Sequence, residues 1–259
     1  MGVYLRPTTL EQALAALAAA PLTILAGGTD LYALPQTAPD LLDITRLPDL
    51  RTISSHPDHW FVPCRATWTD VLRSDLPALL HQAAAQVGGR QVQNTATLVG
   101  NLCNASPAAD GVPCLMALGA QVELVSQSGR RLLELRDFIL GPRRTARRAD
   151  ELVLGVRIPR GAAPIRSEFE KLGARRYLVI SIASVAVVAR APSDLRIVVG
   201  ACSAVPCRLP EVEAAVLAGK PLQIQHLAAL SPIDDVRATA DYRRTAVLQL
   251  IRRAYENIV

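Results

Sequence analysis

At 259 residues, half of them hydrophobic, the chain is long enough for two domains or one large one and apolar enough to fill a sizeable core, which excludes disorder. Its net charge of +5 would suit nucleic acid, but only 4% of residues are aromatic and no basic helix carries interleaved aromatics, so that partner is set aside. Of the 28 basic residues only Lys171 and Lys220 are lysine.

In chain order, Thr8 followed by Glu11 makes a capping box, and Leu10, Ala13, Leu14 and Leu17 form the helical stripe behind it. Leu22 to Leu25 is an apolar run of strand length. Ala26-Gly27-Gly28-Thr29-Asp30-Leu31 follows at once, a tight loop of the kind that aims backbone N–H groups at a pyrophosphate. Asp40 to Ile44 and Trp60 to Val62 read as short strands, the second after a turn around His56-Pro57-Asp58. Thr69-Asp70 is expected to cap one short helix, Pro77 to Val87 to form the next, and Gly88-Gly89 to stop it.

Thr95 to Asp110 alternates Thr, Asn and Ser with small residues and reads as a ligand loop, with Gly100 allowing close backbone approach and Pro107 ending it. Ala108 to Leu118 is spaced like a short buried helix. Gln121 to Val125 and Arg130 to Leu133 suggest a hairpin, and Leu152 to Ile158 a strand. Pro159 to Pro164 reads as a boundary, dividing the chain into 1–160, with lobes of about 1–55 and 56–160, and 165–259. Beyond it, Ser167 to Leu172, Val179 to Arg190 and Leu195 to Cys202 read as strands, and Leu209 to Ala218, Leu222 to Leu230 and Thr239 to Ile258 as helices. The fold class is therefore α+β.

The chain has no G-x-G-x-x-G, no Walker phosphate loop, no G-x-S-x-G elbow and no H-E-x-x-H, which removes Rossmann, P-loop, hydrolase and metalloprotease chemistry. His56, His59, His81 and His226 have no partner at catalytic or metal-ligand spacing and read as structural or solvated. Five cysteines, Cys64, Cys103, Cys114, Cys202 and Cys207, show no C-x-x-C pair or ferredoxin spacing, so buried free thiols are expected and no iron–sulfur cluster. With no secretory signal and no apolar run of spanning length, the expected compartment is the cytoplasm, with no membrane segment.

Taken in order, Tyr4-Leu5-Arg6-Pro7, Ala26-Gly27-Gly28-Thr29-Asp30, Thr97-Leu98-Val99-Gly100-Asn101 leading to Ala105-Ser106-Pro107 and Asp110, Asp150-Glu151-Leu152-Val153, Phe169-Glu170-Lys171-Leu172, Asp235-Val236-Arg237 and Asp241-Tyr242-Arg243-Arg244 resemble the FAD-binding subunit of the molybdenum hydroxylases, the xanthine dehydrogenase and carbon monoxide dehydrogenase family. The resemblance covers nearly the whole chain, with Val99 standing where the family often has glycine. It implies a two-lobed FAD-binding domain of the vanillyl-alcohol oxidase type, then a smaller C-terminal antiparallel sheet backed by helices. It implies Leu25, Ala26, Gly27, Gly28, Thr29, Asp30 and Leu31 as the first FAD loop and Thr97, Gly100, Asn101, Asn104 and Asp110 as the second. Val153 then packs against the flavin ring and Lys171 lies beside its pyrimidine end, the alternative for Lys171 being a stem whose ammonium stays in water. No catalytic or metal-binding residue is implied. The implied partners are a small iron–sulfur subunit and a large molybdopterin-binding subunit, with NAD+, a quinone or oxygen as acceptor. A self-sufficient flavin oxidase of the same fold and a cofactor-free assembly subunit are the alternatives.

Overall fold

The computed structural model describes residues 2–32, 40–161, 165–191 and 193–259, so the Pro159 to Pro164 boundary lies partly outside the described residues. Among the described residues the chain builds three main sheets and a small two-stranded one. The first sheet is parallel, with Leu41–Asp43 between Tyr4–Leu5 and Thr23–Leu25. Its register explains the opening motif. Tyr4 donates its hydroxyl to Asp43, and Arg6 pairs with the same carboxylate at 3.0 Å. The helix between the outer strands runs Leu10–Ala19 with Ala13, Leu14 and Leu17 buried. Its cap is Thr9, not Thr8: the Thr9 hydroxyl accepts from Gln12 N, and Thr8 N bonds Gln12 Oε1 instead.

The second sheet is antiparallel and runs Ser54–Ser55, His59–Pro63, Leu152–Pro159, Gln121–Ser126, Gly129–Glu134. A bulge between Val153 and Gly155 breaks its central strand. The helix Trp68–Leu72 is capped by Thr67 and not by Thr69: Thr67 accepts from Asp70 N, and the Asp70 carboxylate returns to Thr67 N. Ala78–Gln86 forms the next helix. Past Gly88 and Gly89, where a loop was expected, Arg90–Thr95 adds another short helix.

The third sheet, Arg166–Leu172, Ala183–Ala191, Asp194–Gly200 and Cys207–Arg208, is antiparallel, and its two central strands are buried on both faces. Ala186, Val188 and Val198 join the core of the first half, while Val185, Val187, Ile197 and Val199 pack beneath the C-terminal helices. Two-sided burial makes Val185 to Ala189 one unbroken apolar run. The expected strand start at Val179 fails for the same reason: Tyr177, Leu178 and Ile180 are exposed and precede the strand. Pro210–Leu217 and Ala240–Glu256 are helices, but Leu222 to Leu230 contains only a 3₁₀ turn, Ile224–Leu227. Among the described residues no helix is long and apolar enough to cross a membrane. Cys64, Cys114 and Cys202 are buried, whereas Cys103 and Cys207 are half-buried.

Candidate functional site

The strand Thr23–Leu25 ends in the glycine loop. Gly28 takes φ +70°, a left-handed conformation that glycine adopts without steric cost, and Tyr32 N closes the turn on Gly28 O at 3.0 Å. Gly27 is fixed by contact: a Cβ there would sit 2.1 Å from the Thr95 carbonyl oxygen. The loop therefore rests on the end of the Arg90–Thr95 helix, against the start of the second motif. Among the described residues the backbone N–H groups of Gly27, Gly28, Thr29 and Asp30 donate to no protein acceptor.

The second motif is a helix and not a loop. Leu98–Asn104 is capped by Thr97, whose hydroxyl accepts from Gly100 N at 2.9 Å, and Leu98 N donates to Ala66 O. Leu98, Val99 and Leu102 are buried. Thr97, Gly100, Asn101 and Asn104 follow i, i+3, i+4, i+7 spacing and share a face. That face, with Leu25 to Leu31, lines a cleft of about 430 Å³, within the roughly 300–1,000 Å³ of ligand pockets. Val153, Leu152 and Cys103 line it as well. Val99 is buried in the core and also borders the same cleft.

Asp110 and Lys171 do not line the cleft; they form a buried pair. Lys171 Nζ lies 2.6 Å from Asp110 Oδ2 and donates to Gln86 O at 3.1 Å, while Ser181 Oγ donates to Asp110 Oδ1 at 2.5 Å. Burial pushes the Asp110 carboxyl up, against the opposing Lys171 charge and the Lys171 and Ser181 hydrogen bonds. The Lys171 side chain is 6% exposed, which removes the solvated-ammonium alternative.

Arg147, Trp68 and Cys64 also line the cleft and were not anticipated. The signal for Arg147 was the run Arg143 to Arg148, whose members divide: Arg143 bonds Asn104 Oδ1, Arg147 turns to the cleft, and Arg144 and Arg148 are exposed. Glu151 shapes the turn after this run. Arg131 grips it at 2.6 and 2.8 Å and Arg148 N donates to it at 2.7 Å, which together outweigh burial and hold its carboxyl below the ordinary range.

A cleft lined by N–H donors that have no protein acceptor among the described residues and by apolar side chains fits a cofactor with a diphosphate and a flat ring. Residues 1–161 match the family described as FAD binding domain in molybdopterin dehydrogenase, and residues 169–258 the CO dehydrogenase flavoprotein C-terminal domain. The chain belongs to this flavoprotein family. The flavoprotein is 37% identical over 194 residues to the nicotinate dehydrogenase FAD-subunit of Eubacterium barkeri, an alignment covering 69% of this chain and 65% of that one. It is 30% identical to the glyceraldehyde dehydrogenase medium chain of Sulfolobus acidocaldarius, over 98% of this chain and 97% of that one. Its fold superposes with TM-score 0.90 and 26% identity on carbon monoxide dehydrogenase from Hydrogenophaga pseudoflava, covering 99% and 96% of the two chains. The α+β class, with an FAD-binding domain and a C-terminal antiparallel sheet, is that of the family. The chain is an FAD-binding oxidoreductase subunit of the molybdenum hydroxylase family.

Proposed function

We propose that FAD lies along this cleft with its diphosphate on the Gly27 to Asp30 amides and its ring against Val153. The observation that carries the reading is the row of four adjacent N–H groups that have no protein acceptor among the described residues, on a cleft beside the start of the Leu98–Asn104 helix. Leu25, Ala26 and Leu31 shape that loop, and Thr97, Gly100, Asn101 and Asn104 supply the facing wall. Asp110 and Lys171 serve from behind the wall as an ion pair. Bound FAD supplies the electron chemistry, and the protein binds and orients it.

In the complex, electrons would arrive from a small iron–sulfur subunit after substrate oxidation on a large molybdopterin-binding subunit, and leave to NAD+, a quinone or oxygen. The compartment is the cytoplasm. The chain acts as two domains, 1–160 (lobes 1–55 and 56–160) and 165–259. Purification tests the reading directly: the protein should carry close to one equivalent of FAD and co-purify with an iron–sulfur and a molybdenum-containing chain. Protein that takes up no FAD would leave an assembly subunit without cofactor. FAD-loaded protein that turns over substrate unaided would make it a self-sufficient flavin oxidase.

A further inference from the structure

The cleft follows one face of the Leu98–Asn104 helix, and its two ends differ in charge. At the helix start lie Thr97, Gly100 and the Gly27 to Asp30 amides, which among the described residues have no protein acceptor. Six residues further on, about 9 Å along the axis at 1.5 Å per residue, the wall at Cys103 is continued by Leu152, Val153 and Arg147. Among the described residues lining the cleft, Arg147 is the only cation.

Its position is set by the main chain. Arg147 Nη1 donates to the carbonyl oxygens of Glu151 (2.7 Å), Arg148 (3.0 Å) and Ala149 (3.4 Å), which anchors the guanidinium on the turn leading to Val153. Among the described residues no carboxylate forms an ion pair with it: of the two carboxylates of this turn, Glu151 is taken by Arg131 and by Arg148 N, and Asp150 lies outside ion-pair distance. Lys171, in contrast, is neutralised by Asp110 at 2.6 Å. Among the described residues lining the cleft, Arg147 is thus the one fixed positive charge without a carboxylate in ion-pair contact, and it lies beside Cys103 and Val153.

We infer that Arg147 is the cation that tunes the flavin, an inference that rests on FAD occupying the cleft as proposed above. Two-electron, one-proton reduction leaves a net negative charge on the pyrimidine edge of the ring, and a guanidinium held at the ring end favours that form. Because the carbonyl cage holds Arg147 before the cofactor arrives, little reorganisation accompanies the charge change.

Arg147→Gln keeps a donor for the cage and removes the charge; Arg147→Lys keeps the charge. Both are compared with the unaltered protein for FAD content by absorbance, for midpoint potential by dye-coupled titration, and for melting of the apoprotein. The expected result is full FAD in all three, with the reduction equilibrium of Arg147→Gln weakened about tenfold, a midpoint lower by about 30 mV for a two-electron couple, and most of it restored in Arg147→Lys. Equal midpoints at full FAD content would overturn the tuning role. So would loss of FAD from Arg147→Gln with apoprotein melting unchanged, since Arg147 would then hold the diphosphate. Failure of the unaltered protein to bind FAD would overturn the reading of the cleft itself.

Discussion

Lys171 and Asp110 are 61 residues apart in sequence and 2.6 Å apart in space, each side chain less than a tenth exposed. Removing one partner of such a pair leaves the other charge buried and alone, a loss of about 3–5 kcal/mol. Lys171→Met should therefore lower stability by that amount in urea unfolding, and adding Asp110→Leu should recover much of it; full stability of the single variant would show that the pair is not the anchor described. Asp235 gives the acid counterpart. It accepts from Arg237 N at 2.8 Å and from Arg243 Nη2 at 2.7 Å, and these groups, with the Arg237 amide foremost, hold its carboxyl at about 2 against the effect of burial. A depressed folded-state value stabilises fully above the unfolded value near 4 and is lost as pH falls towards 2. Asp235→Asn should flatten the fall of the urea midpoint between about pH 4 and pH 2. An equally steep fall in the variant would assign the acid limb to other carboxylates.

The Leu98–Asn104 helix depends on its cap more than on propensity, being seven residues long with a glycine at its fourth position, counted from Thr97. Thr97→Ala should cost about 1 kcal/mol and weaken FAD binding, while Thr97→Ser, which keeps the hydroxyl, should do neither; calorimetric melting and FAD titration read both effects. A Cβ at Gly100 would lie 2.7 Å from Thr97 Oγ1, so substitution there disturbs the cap as well as the cleft surface. Gly27 joins two elements. Its missing side chain lets the glycine loop rest on Thr95, and Gly27→Ala forces the loop away from the helix that completes the cleft. Gly27→Ala should retain its circular dichroism spectrum and lose FAD on gel filtration. Retained FAD at one equivalent would mean that the contact with Thr95 does not position the loop.

Across the molecule, the two halves share a core. Phe169, Ala186, Val188 and Val198 of the third sheet belong to the same buried cluster as Trp68, Leu102 and Val156. Polar clips reinforce it: Arg190 Nη2 donates to Leu118 O at 2.7 Å and to Pro159 O at 3.3 Å, Gln82 Oε1 accepts from Phe169 N, and Ala201 N donates to Pro107 O. Halves joined through one apolar cluster should unfold together, so fluorescence and circular dichroism should give one coincident urea transition. Two separated transitions would show that the shared cluster does not couple the halves.

Sequence by itself determined the features that short windows encode. The apolar run before Ala26-Gly27-Gly28 specifies a strand feeding a tight turn, Pro77 to Val87 brackets the Ala78–Gln86 helix, and the order of the motifs points to an FAD-binding chain. Even Thr97, Gly100, Asn101 and Asn104 carried a helical spacing, hidden by the small polar residues around them. Tertiary structure decided the rest, because it depends on partners distant in sequence. Thr67 caps a helix because Ala96 O receives Trp68 N and the chain must turn there. Tyr177 to Ile180 stay off the sheet although they are apolar, and Lys171 faces Asp110 instead of solvent. Arg147 was one arginine of a basic run until the Arg148, Ala149 and Glu151 carbonyls fixed it on the cleft. Local propensity sets which elements form; burial and long-range polar pairing set which side chains reach the cleft.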